Sequence, residues 1–156
     1  MKTLIFGLGN TILSDDGVGI RIAQELRKKL NPQDFDVKEG SIAGIALLDE
    51  ISDYDRIIII DSILESGKTP EPGKLHKIKL ENFSACTHLA SFHNVNLATV
   101  IELGKRMGYK IPEKIDIYAV EIEDNKTFSE ELTPKVKEKL QNIVEEILKN
   151  ITPVVC

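Results

Sequence analysis

Cysteine is scarce: the 156 residues include only Cys86 and Cys156. Two thiols so far apart form no disulfide framework. Cys86 falls near His88 and His93, which keeps a thiol nucleophile or metal ligand in view, although a small core residue is the commoner role of such a cysteine. Long apolar runs are also missing. The run Ile57 to Ile60 is far shorter than the roughly 20 residues a membrane-crossing helix needs. The opening Met-Lys-Thr-Leu-Ile-Phe-Gly-Leu-Gly-Asn has one positive side chain, a short apolar run and no small-residue cleavage site, so no targeting segment is read and a cytoplasmic location is expected. Nor is there excess positive charge. Twenty Lys and Arg face 25 Asp and Glu, a net charge of -5 that argues against a nucleic-acid partner.

Several catalytic signatures are absent too. Gly7-Leu8-Gly9-Asn10 has the start of a dinucleotide fingerprint, but Ile12 stands where the third glycine belongs, and no Gly-Lys-Ser or Gly-Lys-Thr follows. There is no His-Glu-x-x-His zinc motif and no Gly-x-Ser-x-Gly elbow. Ser62 has no evident base assigned to it.

What is present suits a soluble globular protein. Hydrophobic residues make up 42% and charged residues 29%, enough apolar material for a real core. The length fits a single domain over residues 1–156. Strand-like and helix-like segments alternate. Thr3 to Phe6 reads as a buried strand, Phe35 to Lys38 as a weaker one, and Arg56 to Ile60, with four consecutive isoleucines, as a strand buried on both faces. Lys74 to Leu80 alternates like a half-exposed edge or antiparallel strand, and Lys114 to Val120 is a fifth. Helices are expected from Asp15 through Leu30 with Asp15 as N-cap, over Ala43 to Ile51, from about Phe92 to Met107 with a stop at Gly108, and from Thr133-Pro134 onward. The alternation predicts an α/β three-layer sandwich: a twisted, mostly parallel five-stranded sheet flanked by helices. In such sheets, sites form at the carboxyl ends of the strands, which selects the segments after Phe6 and Ile60.

Three residues stand out there. Gly7 to Asn10 is read as a tight turn that exposes backbone amides and leads to Asp15-Asp16. Asp16 falls in the first helical turn, where a carboxylate also favours the helix dipole. Asp61 directly follows the isoleucine strand, and the sequence leaves capping, metal binding and catalysis all open for it. His93 sits near a helix start, where the dipole disfavours protonation and suits a neutral ligand, though a packing or capping role competes. His76 reads as solvated and His88 as a loop residue. Two carboxylates and an imidazole suit a divalent transition metal, but the spacing does not establish one.

Together these segments resemble the nickel-iron hydrogenase maturation proteases over nearly the whole chain. The match is carried by Gly7-Leu8-Gly9-Asn10 leading to Asp16, by the aliphatic strand Ile57 to Ile60 closed by Asp61, and by Ser91-Phe92-His93-Asn94 opening a helix. The family often has two adjacent glycines after the second strand, where this chain has Gly40-Ser41. The resemblance implies an endopeptidase that removes a C-terminal extension from the hydrogenase large-subunit precursor after nickel insertion. Asp16, Asp61 and His93 would engage nickel supplied by that precursor, as a recognition element or as a Lewis acid, with a carboxylate as possible general base. A non-catalytic nickel-dependent assembly chaperone is the alternative. Peptidyl-tRNA hydrolases also begin with a strand and Gly-Leu-Gly-Asn, but here Thr11-Ile12 follows instead of Pro-Gly, and the acidic charge disfavours tRNA.

Overall fold

In the computed structural model, residues 2–42, 44–64, 67–80 and 97–152 are described. Five strands form one sheet: β1 (Thr3–Leu8), β2 (Phe35–Gly40), β3 (Arg56–Ile63), β4 (Leu75–Lys79) and β5 (Lys114–Glu121). Their order is β2-β1-β3-β5-β4, with every pairing parallel except β4 against β5. The described helices are α1 (Val18–Lys29), α2 (Ala46–Ile51), α3 (Leu97–Arg106) and α4 (Pro134–Ile151).

Strand periodicity builds two cores. Leu4, Phe6, Leu8, Ile57, Ile59, Ile63, Ile117 and Ala119 share one face with residues of α2 and α3. Ile5, Ile58, Ile60, Tyr118 and Val120 share the other with α1 and α4. The isoleucine run is therefore buried on both sides, as a central parallel strand requires. β4 lies at an edge, half exposed, with Lys77 and Lys79 discouraging further pairing. The expected three-layer α/β sandwich is the observed one.

Some boundaries differ. β3 runs three residues past Ile60 because its pairing with β5 continues to Ile63–Glu121, so Asp61 lies within the strand. α2 starts at Ala46, after Gly44 turns the chain with φ +67°. α3 ends where Gly108 adopts φ +84° and Tyr109 N–H bonds the Gly104 carbonyl, as its expected stop requires. The expected start of that helix at Phe92 lies outside the described residues.

The topology fixes where a site can form. β1 leads through α1 to β2 on one side, and β2 returns through α2 to β3 on the other. β1 and β3 are thus neighbours whose connections part to opposite faces, which opens a crevice at their carboxyl ends. β1 pairs with β3 only as far as Gly7–Ile60, so β3 loses that neighbour just before Asp61.

Candidate functional site

A short 3-10 turn, Ser14–Gly17, carries Asp15 and Asp16 into this crevice. Gly19 lets the turn and α1 come close: a Cβ there would collide with the carbonyls of Ile60 and Leu8. Gly9 has φ +146°, and a Cβ on it would strike the Asp16 carbonyl. The glycine turn is thus shaped to receive the Asp16 backbone. Its amides are not all turned outward as expected: Gly9 N–H donates to the Gly40 carbonyl, Leu13 N–H to the Asn10 carbonyl, and Ile12 N–H to the Asn10 side chain. The Ser41 hydroxyl donates to the Gly9 carbonyl, so the Gly40-Ser41 variation ties the β2 exit to the β1 exit.

Asp16 and Asp61, far apart in sequence, are linked through Ser62. The Ser62 amide donates to Asp61 Oδ1 at 2.8 Å, and its hydroxyl lies 3.4 Å from Asp16 Oδ1. Asp61 is fully buried, whereas Asp16 is partly exposed. In the sequence, no base accompanies Ser62. Its place here is a hydrogen-bonding link between two carboxylates. Adjacency to Asp61 was the only signal that pointed to it.

Asp15 is not a helix cap. The 3-10 turn and α1 are entered through Leu13 and Gly17 without side-chain capping. The wholly buried Asp15 carboxylate instead accepts the Thr133 amide at 2.8 Å, the Thr133 hydroxyl at 2.9 Å, and the Glu123 and Asp124 amides at 3.3 Å each. It clamps the β5–α4 connection to the turn that carries Asp16. Thr133 stands at the α4 N-cap as expected, but its side chain is spent on Asp15.

His76 is not merely solvated. Its Nε2 lies 2.7 Å from Glu121 Oε1, at the edge of a cavity of about 300 Å³ lined by Ile63, Lys68, Glu71 and Lys74 among others. Burial pushes the Glu121 carboxyl up, but the Glu71 amide and the His76 ring outweigh it and hold the group below the usual glutamate range. His93, Cys86, His88 and Cys156 lie outside the described residues.

The donor set suits a hard or borderline divalent cation: two carboxylates, Asp61 on β3 and the partly exposed Asp16 on the 3-10 turn. Among the described residues, no group of three or more His, Cys, Asp and Glu side chains is arranged to hold a metal ion. Nor, among them, is any helix long and apolar enough to cross a membrane.

Fold and geometry thus define an α/β protein with two carboxylates, Asp16 and Asp61, gathered at the switch point of its sheet. Comparison with known proteins sharpens this. Residues 20–150 match the model of a family described as hydrogenase maturation protease, a span that contains Asp61 and His93 and begins just after Asp16. The hydrogenase 2 maturation protease of Escherichia coli is 29% identical over 150 residues, covering 95% of this chain and 89% of that protein. The solved hydrogenase maturating endopeptidase HybD from E. coli superposes with a TM-score of 0.73 at 25% identity, covering 97% of this chain and 92% of the other. The NiFe hydrogenase maturation protease HybD from Thermococcus kodakarensis gives 0.71 at 26% identity, covering 97% and 100%. The chain belongs to the hydrogenase maturation protease family, and its activity is accordingly that of a peptidase.

Proposed function

We propose that this protease removes the C-terminal extension of a nickel-iron hydrogenase large-subunit precursor, and that it reads the precursor's nickel as the sign that the metal is in place. The observation that carries this is the junction of Asp16 and Asp61 through Ser62 at the sheet's switch point. It gathers two carboxylates where an α/β sheet binds its ligands.

Asp16, Asp61 and His93 are the residues proposed to engage the nickel, which belongs to the substrate. Bound beside the scissile bond, a divalent metal can polarise a carbonyl or a water. The chain's own contribution is positional. The Ser62 amide fixes the Asp61 carboxylate, and the Asp15 clamp fixes the turn that presents Asp16. A carboxylate beside the scissile peptide can also take a proton from the attacking water.

The test is mass spectrometry of the nickel-loaded precursor incubated with the protein. Loss of a C-terminal fragment is expected with the wild-type chain and with no nickel-free precursor. Asp16→Ala, Asp61→Ala and His93→Ala should each abolish that loss while the variants stay folded. Normal processing by any two of them would sink the assignment, and an unshortened precursor with the wild-type chain would leave a non-catalytic assembly role.

A further inference from the structure

Two large apolar side chains stand in solvent on segments tied to the turn that carries Asp16. Ile12 is 49% exposed and Phe128 is 83% exposed. They come from distant segments joined by an isolated parallel bridge between Leu13 and Ser129. Ser129 N–H donates to the Ile12 carbonyl and Ser14 N–H to the Ser129 carbonyl, both at 2.9 Å. Each exposed residue immediately precedes a bridged one, so the bridge brings their backbones together.

The platform beneath them is held at several points. Asp15 fixes the Glu123 and Asp124 amides at one end of the β5–α4 connection and Thr133 at the other. Asp124 Oδ1 accepts the amides of Lys126 and Thr127, both at 2.9 Å, immediately before Phe128. The Arg21 guanidinium donates to the Glu130 carbonyl just after it. An aromatic residue on a fixed loop gives up little freedom on binding, which is what makes an efficient interface anchor. Exposing it in the free protein has no benefit to the fold.

The place of this pair indicates its occupant. Ile12 belongs to the loop that runs from β1 to Asp16, and the Asp16 amide donates to the carbonyl of the next residue, Leu13. The Ile12 end of the pair therefore sits on the same loop that carries Asp16. Residues 123–131 carry four carboxylates against one lysine. Glu123 and Glu131 are taken up by Lys135 and Lys137, leaving Asp124 and Glu130 on either side of Phe128. We infer that Ile12 and Phe128 form a docking anchor for the folded body of the protein substrate, received by an apolar recess edged with basic groups. This rests on the reading of the chain as a precursor-processing protease.

The test is calorimetric binding of the nickel-loaded precursor to the wild-type chain and to the Ile12→Ser/Phe128→Ser double variant, with processing rates in parallel. The double variant should bind at least about 10-fold more weakly. Its melting temperature and its rate at saturating precursor should stay unchanged, since the side chains are exposed and act before the chemistry. Phe128→Leu, which keeps apolar bulk, should lie between the two, and added salt should weaken wild-type binding. An unchanged Kd in the double variant would overturn the docking anchor. So would a loss of rate at saturation with no loss of affinity. A wild-type chain that binds but does not cleave would break the protease reading alone, with the Kd comparison still deciding the anchor. Failure of the wild-type chain to bind would overturn both.

Discussion

At the amino end of the sheet, the buried Asp116 carboxylate faces the Arg56 guanidinium at 2.8 Å. At the carboxyl end, the equally buried Asp15 is held by three backbone amides and a hydroxyl. Asp61 and Asp16 there take the amide and hydroxyl of Ser62. A carboxylate paired with a cation is electrostatically complete. One held by N–H and O–H dipoles, as Asp15 is, has its oxygens satisfied by neutral donors. At the amino end an ion pair closes the fold, and at the carboxyl end a hydrogen-bonded carboxylate holds the turn that carries Asp16.

The sharpest way to break this comparison is to neutralise one carboxylate at each end. Asp61→Asn keeps the shape and an acceptor for the Ser62 amide but removes the charge. Precursor processing should fall about 10²–10³-fold, the range seen when one group stabilising transition-state charge is lost. Its melting temperature should hold or rise, because charge placed for function is seldom placed for stability. Asp116→Asn should do the reverse, lowering the melting temperature while processing continues. If Asp116→Asn slowed processing as much as Asp61→Asn, the division between the two ends would collapse.

Removing the cation at the amino end is the next largest effect. Arg56→Leu leaves Asp116 buried without its partner and should cost about 3 kcal/mol in urea unfolding. The double variant Arg56→Leu/Asp116→Leu should recover most of that, since no charge is then stranded. A double variant no more stable than the single one would show that the pair contributes through packing, not through charge.

Asp15→Asn tests the dipole-held type. One carboxylate oxygen is replaced by an NH2 group that faces the Glu123 and Asp124 amides and the Thr133 hydroxyl. The loss should be about 2 kcal/mol, the cost of setting buried donors against each other. Processing should weaken as well, because the turn carrying Asp16 loses its anchor. A variant with wild-type stability would mean that the amides find other partners.

The residues of this carboxyl end were unevenly legible in the sequence. The period-2 alternation and the isoleucine run gave all five strands, and the lysines of Lys74 to Leu80 marked the antiparallel edge strand. These are local patterns that burial imposes on consecutive residues. The sequence suggests a cap at Asp15 because its true partners are 108 to 118 positions away. No local pattern announces them, whereas capping is a local habit of aspartate. Ser62 carries no local signal for its role either, since its link to Asp16 spans 46 positions. His76 looked solvated because its partner Glu121 comes from the neighbouring strand, and strand order is not written in the alternation.

Glu121 mixes the two ways of holding a carboxylate, since it takes an amide from Glu71 at 2.8 Å and the His76 ring at 2.7 Å. Burial works against its charge, yet the two partners prevail and its pKa lies below the usual value. A depressed carboxylate stabilises the fold above the unfolded pKa and loses that contribution as the pH falls through the folded one. The stability gap between the wild-type chain and Glu121→Gln should therefore be full above pH of about 4.3 and should close progressively below it. The gap should be the smallest of the effects here, because the group is partly exposed and solvent screens it. Repeating the measurement with His76→Gln separates the partners. If the closing of the gap is unchanged, the Glu71 amide holds the carboxylate, as at Asp15. If it vanishes, the imidazole does, and Glu121 is closer in kind to Asp116.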